Sequence, residues 1–265
     1  MIPDQIKRSS ILLNFQNRAQ LLINRLFFKS TGSTIYRYDD MEILIDHNGG
    51  DQDGTRSCLF PGLYDPCIEA LTELPGKLSI LDLGANGGGF LLALRKHRFE
   101  IERAVVVELN PHTWSRLTLN LFRNIPHAHE RLKILNGAAG SSDGSITIGL
   151  GRGSVGDSVA TGVDPTKEQF VLPTYSLETL LSYFPAGREI DLCKIDIEGA
   201  EYEMFDSLSP ASFARIKALV IEIHDMPGRK PADALKFLED CGFEAVAPTR
   251  PLVESNVYLF RKRAK

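Results

Sequence analysis

Acidic residues and glycines recur in this chain at the ends of apolar runs, where strands would deliver them to one edge of a sheet. The first such place is Leu81-Asp82-Leu83-Gly84-Ala85-Asn86-Gly87-Gly88-Gly89-Phe90. Residues 79–83 alternate as a buried strand does, the glycines allow close backbone approach, and Phe90 to Leu94 resume at helical spacing. A strand, glycine loop and helix in that order suit a nucleotide-bearing cofactor. A dinucleotide fingerprint needs glycine at the first, third and sixth loop positions. Counted from Gly84 the third position is Asn86, and counted from Gly87 the sixth is Leu92, so both registers fail. A phosphate-binding P-loop would end in Gly-Lys-Ser/Thr, and this loop does not.

The second apolar run, Arg103-Ala104-Val105-Val106-Val107-Glu108, also ends in an acid. A carboxylate there accepts from both hydroxyls of a ribose, so Glu108 is the expected ribose clamp. Asn136-Gly137-Ala138-Ala139 offers small residues beside which an adenine ring would lie, although turn chemistry explains it equally well. The sharpest cluster is Lys194-Ile195-Asp196-Ile197-Glu198-Gly199-Ala200-Glu201, three acids and a lysine around a strand end. Capping of the next helix accounts for Glu201 but not for Lys194 and Asp196. Ile221-Glu222-Ile223-His224-Asp225 then brings further acids and a histidine to the same edge.

The elements that must position these residues alternate from residue 78 onward, the signature of a parallel sheet with crossover helices. Strands are predicted over 78–84, 103–109, 132–136, 190–196 and 217–223, with helices over 89–97, 111–123, 176–184, 200–207 and 230–241. Residues 243–247 and 256–261 are predicted to close the sheet as an antiparallel pair. Two polar, glycine-rich stretches, 46–57 and 149–164, read as loops, the second long enough to cover an active site. Ile11, Leu12, Phe15, Ala19, Leu22, Ile23 and Leu26 share one helical face and predict an amphipathic N-terminal helix. It is expected to pack on the domain or against a second copy in a homodimer, with binding to a membrane surface as the alternative.

With these residues in place, the chain resembles the FkbM family of S-adenosylmethionine-dependent methyltransferases over about residues 62 to 242. The residues that carry the resemblance are L-D-L-G-A-N-G-G-G-F at 81–90, V-V-V-E-L-N-P at 105–111, L-T-L-N at 117–120 and N-G-A-A-G-S-S-D-G at 136–144. They continue with Y-S-L-E-T-L at 175–180, K-I-D-I-E-G-A-E at 194–201 and I-E-I-H at 221–224. The chain departs from the family in having Glu108-Leu109 in place of Glu-Pro and Ser176-Leu177-Glu178 in place of Thr-Leu-Asp. The resemblance implies an α/β, class I methyltransferase (Rossmann-like) sheet, mostly parallel with a C-terminal antiparallel strand. Helices would cover both faces, with an N-terminal helical extension over 1–60 and the catalytic domain over 61–265.

It also implies S-adenosylmethionine as cofactor, with Asp82, Gly84, Asn86, Gly88, Glu108, Asn110, Ala138 and Asp196 as its binding residues. The expected reaction is O-methylation of a hydroxyl on a small acceptor, a sugar or other secondary metabolite. An alcohol has a high pKa, so a base near the methyl group is useful. His224 is expected to be that base, aided by Asp196 and Glu222. A divalent metal held by Asp196, Glu222 and His224 is the less favoured version. N- or C-methylation and a non-catalytic S-adenosylmethionine-binding protein remain as alternatives, and the acceptor is not legible.

Composition bounds the rest. The 265 residues, 43% of them hydrophobic, carry a formal charge of -4, which argues against nucleic acid as a partner. Cys58, Cys67, Cys193 and Cys241 lack the spacing of a disulfide or zinc framework and fit reduced thiols in a cytoplasmic protein. The apolar runs of the N-terminal helix are far below the roughly 20 residues of a transmembrane span.

Overall fold

The computed structural model describes residues 10–28, 32–150, 168–252, 254 and 256–263. The described residues open with a 3-10 turn at Leu12–Asn14, a helix at Arg18–Phe28 and an antiparallel hairpin of β1 (Ser33–Tyr38) and β2 (Met41–Asp46). Short helices at Thr55–Leu59 and Asp65–Ala70 lead into β3 (Lys77–Leu83) and the helix Gly89–Lys96. Next come β4 (Glu100–Glu108), the helix Pro111–Asn124, a helical turn at Ala128–Arg131 and β5 (Leu132–Asn136). β6 (Ala138–Ala139), β7 (Gly144–Leu150) and β8 (Glu168–Tyr175) form a small side sheet. The helix Leu177–Ser182, β9 (Ile190–Ile195), the helix Glu201–Ser207 and β10 (Ile216–Glu222) follow. The helix Pro231–Asp240, β11 (Phe243–Ala245) and β12 (Val257–Lys262) complete the order.

The main sheet has seven strands in the order β11-β12-β10-β9-β3-β4-β5. β10, β9, β3, β4 and β5 are parallel, and β12 runs antiparallel between β10 and β11. Strand order reverses at β3, whose neighbours are β4 and β9, so the carboxyl ends there border a crevice suited to a ligand. Leu83 pairs with Val107 on one side and Ile195 on the other, and Ile195 pairs with Ile221, so four strands end level.

Burial on both faces explains why the central strands are largely apolar. Ile80, Ala104, Val106, Leu192 and Val220 face one hydrophobic cluster, with the helices Gly89–Lys96 and Pro111–Asn124. Leu81, Val105, Cys193, Leu219 and Ile221 face the other, with the helices Leu177–Ser182, Glu201–Ser207 and Pro231–Asp240. A parallel strand buried on both sides needs apolar residues at consecutive positions. Each fully buried aliphatic side chain stabilises the fold by about 1.5–3 kcal/mol.

The N-terminal segment differs from one continuous helix. Phe15 is buried and extended, with ψ 144°, and interrupts it. Asn17 then ties the start of the second helix to β1, donating to Ile35 O at 2.8 Å and accepting from Arg37 N at 3.0 Å. Leu12, Phe15 and Leu21 join the same core as β3, whereas Ile23, Leu26 and Phe27 are exposed. β2 is fastened to the helix Pro111–Asn124 by two amides. Asn120 Oδ1 accepts from Leu44 N at 2.7 Å and Asn124 Oδ1 from Glu42 N at 2.9 Å, and both amide nitrogens donate back to the same residues' carbonyls. Two asparagines four positions apart thus stand in for a neighbouring strand, satisfying backbone groups that an edge would leave unpaired. The stretch 46–57, expected as loop, contains turns and the start of the helix Thr55–Leu59. Of the expected loop at 149–164, Gly149 and Leu150 complete β7 and the remainder lies outside the described residues. No described helix is long and apolar enough to cross a membrane.

Candidate active site

The glycine loop turns sharply at the end of β3. Gly84, Asn86 and Gly88 have φ of +77°, +51° and +90°, and Gly88 precedes the helix Gly89–Lys96. Gly84 is required by contact as well as by conformation, because a Cβ there would lie 1.7 Å from the carbonyl oxygen of Asp196. The loop's amides are engaged within the protein. Gly84 N and Ala85 N donate to Val107 O at 3.0 Å, and Gly88 N donates to Ala85 O at 3.0 Å. Asn86 N donates to Glu108 Oε2 at 2.8 Å and Gly87 N to Asn86 Oδ1 at 2.7 Å. The amides of residues 84–88 thus hold the loop itself in shape.

A cleft opens beside this loop at the carboxyl edge of the sheet. Gly84, Asn86, Glu108, Ala138 and Asp196 line it, as expected, together with Glu198. Glu108 is buried at the end of β4, accepting from Asn86 N and Asn110 N at 2.8 Å each. A carboxylate accepts several hydrogen bonds at once, so the same group suits a diol. Small residues, Gly137 to Ala139 and Ala200, form the other wall.

Three expected cofactor residues stand behind this lining. Gly88 packs toward Leu117 and Leu121. Asn110 is buried as the N-cap of the helix Pro111–Asn124, its Oδ1 accepting from His112 N at 3.0 Å. Asp82 is fully buried and pairs across the sheet with Lys194, whose Nζ lies 3.7 Å from Asp82 Oδ1. Burial pushes the Asp82 carboxyl up to about 6, against the pull of Lys194.

Lys194 links the loop to the acid cluster. Its buried ammonium donates to Gly84 O at 2.8 Å and pairs with Asp196 Oδ2 at 3.1 Å. The nearby carboxylates hold its pKa above the ordinary lysine value even though burial opposes this. Asp196 Oδ2 also accepts from the hydroxyl of Tyr64 at 3.2 Å, a contact across 132 residues that the sequence did not disclose.

Beyond Asp196 the chain leaves β9 through Glu198 at φ +55° and Gly199 at φ +95°. That turn brings Glu198 toward His224, which follows β10. His224 Nε2 is 3.4 Å from Glu198 Oε2, 3.6 Å from Glu222 Oε1 and 3.9 Å from Asp196 Oδ1, and its Nδ1 is 3.1 Å from Glu201 Oε1. Burial alone would lower the imidazole pKa, but Glu201, Glu198 and Asp196 overcome it and raise it to about 9. Glu222 is also raised, first by burial and then by Asp196, and it accepts from Asn256 Nδ2 at 3.0 Å. The structure therefore brings His224, Asp196 and Glu222 together as the sequence proposed, and adds Glu198, Glu201 and Tyr64. Glu198 and Glu201 stood in the 194–201 string; nothing local marked Tyr64. Asp196, Glu198 and His224 also offer ligand atoms within 4.8 Å of one another, as do Asp65, Glu69 and His97.

A mostly parallel sheet with one antiparallel strand near its end, carrying its cleft and acids at the carboxyl edge, is the Rossmann-like class I methyltransferase architecture. Residues 82–245 match the methyltransferase FkbM domain, and this chain belongs to the FkbM methyltransferase family. It is 27% identical over 209 residues to Methyltransferase sdnD of Sordaria araneosa, covering 68% of this chain and 78% of that one. It is 26% identical over 208 residues to Methyltransferase 1 of Beauveria bassiana, covering 71% and 80%. The crystal structure of Methyltransferase FkbM from Methylobacillus flagellatus superposes with a TM-score of 0.46 at 14% identity, covering 70% of this chain and 44% of that chain.

Proposed function

We propose that this methyltransferase uses S-adenosylmethionine to methylate a hydroxyl oxygen on a small acceptor, a sugar or other secondary metabolite, with His224 as general base. The observation that carries the reading is the approach of His224 Nε2 to Glu198 and Asp196, both of which line the cofactor cleft. The cleft's donor set fits that cofactor: a buried carboxylate at Glu108 for the ribose, small residues from Gly137 to Ala139 for the adenine, and acids for a cationic sulfonium and ammonium. When bound, the cofactor supplies a methyl group on positively charged sulfur.

The chain's own residues then have three tasks. Glu108 and the Gly137–Ala139 wall orient the nucleoside, and Asp196, held by Lys194 and Tyr64, stabilises positive charge. His224 Nε2 takes the hydroxyl proton as the oxygen attacks, and much of the remaining acceleration comes from orientation. With a pKa near 9, the imidazole is protonated at neutral pH in the cofactor-free protein. A cationic ligand among the same carboxylates would compete for their charge and lower that pKa, leaving His224 Nε2 free to act as base.

Two measurements test the reading together. S-adenosylmethionine and NAD are titrated against the protein by calorimetry, with binding expected for the first alone. Turnover is then followed on hydroxylated acceptors with His224→Ala and with exhaustive chelation of the wild type. A loss of about 10²-fold or more in the variant is expected from general-base removal. Full activity is expected after chelation, because the proposed base is the His224 side chain and no metal is needed to take the proton. Unchanged turnover in His224→Ala removes it from the mechanism, and methylation of amines but not alcohols moves the reaction to nitrogen.

A further inference from the structure

Glu201 has more to do than begin a helix. It is the first residue of the helix Glu201–Ser207, yet its side chain is fully buried and turns back toward the strand ends. A single oxygen, Oε1, meets both Ile197 N at 3.0 Å and His224 Nδ1 at 3.1 Å. Oε2 has no hydrogen-bond partner among the described residues. A buried carboxylate so placed needs a compensating positive charge or a strong donor. Among the described residues, its ion-pair partner is His224.

We propose that Glu201 is a positioning residue of this site: its buried carboxylate accepts a hydrogen bond from Nδ1–H of His224, fixes the imidazole's tautomer, and thereby turns Nε2 toward Glu198 and the cleft. This rests on the assignment of His224 as base. An ionised carboxylate only accepts, so the nitrogen facing it must donate. When the ring is neutral, its proton then resides on Nδ1 and its lone pair on Nε2, because one ring nitrogen's partner sets the state of the other. The same Glu201 oxygen holds Ile197 N, so the turn that carries Asp196 and Glu198 is indexed to the ring.

Other charged groups face the ring from the elements around it. Glu198 and Asp196 approach from the turn after β9, with Lys194 behind Asp196, and Glu222 approaches from β10. These act on Nε2, whereas Glu201 alone among them meets Nδ1. The roles therefore separate by ring nitrogen. Loss of Glu201 frees the tautomer; loss of an Nε2 neighbour does not.

The test is Glu201→Gln in the full chain. Glutamine keeps a carbonyl oxygen for Ile197 N and removes the charge facing His224. Nitrogen-15 spectra of labelled histidine follow the ring, with the signal assigned among six histidines by its absence from His224→Gln. In the wild type the neutral ring is expected as the Nδ1-protonated tautomer. In Glu201→Gln the titration midpoint is expected to fall by about one unit or more, with mixed tautomers. The acid limb of kcat/KM against pH should move the same way. An unaltered midpoint and tautomer would show that Glu201 only anchors Ile197 and would overturn the proposal. If His224→Gln keeps full activity, the base assignment fails while the spectra still decide the role of Glu201. Should Glu201→Gln not fold, Glu201→Asp withdraws the oxygen while keeping the charge, and an unchanged tautomer there overturns the proposal equally.

Discussion

Replacing Gly84 with alanine probes whether the cofactor loop and the acid cluster form one packed unit, and two other glycines separate the energetic terms. Gly76 has no unusual φ and open space around it, so alanine there should change stability little or raise it by up to about 1 kcal/mol. Gly187 has φ +73° and also opens to space, so its alanine variant measures left-handed strain alone, about 1–2 kcal/mol. Gly84 has φ +77° and a Cβ position 1.7 Å from Asp196 O. No rotamer relieves a clash between Cβ and backbone, so overpacking of about 1–3 kcal/mol adds to the strain. The total, about 2–5 kcal/mol, is a large share of the roughly 5–15 kcal/mol that holds a domain folded. With a urea m-value near 3 kcal/mol per M, the midpoint should fall by about 0.7–1.7 M. Affinity for S-adenosylmethionine should weaken at least about tenfold, since relief requires Asp196 to move. A Gly84→Ala midpoint no lower than that of Gly187→Ala, with affinity unchanged, would refute the close packing of loop and cluster.

Asn120→Ala removes the amide that holds Leu44 and Gly87 O, leaving the buried Gly87 carbonyl unpaired at about 1–3 kcal/mol and losing two part-buried bonds to Leu44 at about 0.5 kcal/mol each. Urea unfolding should show a loss of about 2–4 kcal/mol, with faster hydrogen exchange at Leu44, and protection equal to wild type would contradict the bracing role. His224 has a folded pKa raised from 6.5 to about 9, so its contribution is fully present below pH 6.5 and is lost as pH rises through 9. At 1.36 kcal/mol per unit the ceiling is about 3 kcal/mol, and the stability gap between wild type and His224→Asn should shrink between pH 6 and 9.5. A gap independent of pH would be inconsistent with that charge pairing. Glu108→Gln places an NH₂ group against one of the two backbone N–H groups that donate to the carboxylate, and S-adenosylmethionine affinity should fall about 10- to 150-fold for loss of a charge-assisted contact of about 1.5–3 kcal/mol. Equal affinity by calorimetry would remove Glu108 from the ribose site.

The central parallel strands were legible because burial on both faces forces a largely apolar run, and each run stops where the sheet stops. The ends at Gly84, Glu108, Asp196 and Glu222 were legible for the same reason. What escaped depends on contacts across long stretches of chain. The β1–β2 hairpin has no apolar run of its own length, and its outer edge is completed by Asn120 and Asn124, about 80 residues away. Those asparagines did leave a trace, as polar residues in the apolar stripe that includes Leu117 and Leu121. Asp82 looked like a cofactor residue from its place before the glycines, but the register opposite Lys194 turns it into a buried pairing partner. Glu201 looked like a helix cap for want of any local sign that His224, 23 residues later, would meet it.

Asp196 is where the two halves of the site converge. Its carbonyl packs on Gly84, and its carboxylate meets Lys194 and Tyr64 and lies near His224; Lys194 also holds Gly84 O. Cofactor binding and proton binding are therefore set to be linked. If a cationic cofactor lowers the His224 pKa from about 9, binding near pH 8 must release protons, and by reciprocity affinity must rise with pH until the ring is neutral. In the proposed reaction the donor's positive charge would be lost on transfer, so His224 would again be the stronger base when it holds the acceptor's proton. Calorimetric titration of S-adenosylmethionine in buffers of different ionisation enthalpy reads the released protons directly. The apparent enthalpy should vary with buffer for the wild type and cease to vary for His224→Asn. An enthalpy independent of buffer in the wild type would mean that His224 does not sense the cofactor's charge, and the coupling of loop to base would fall.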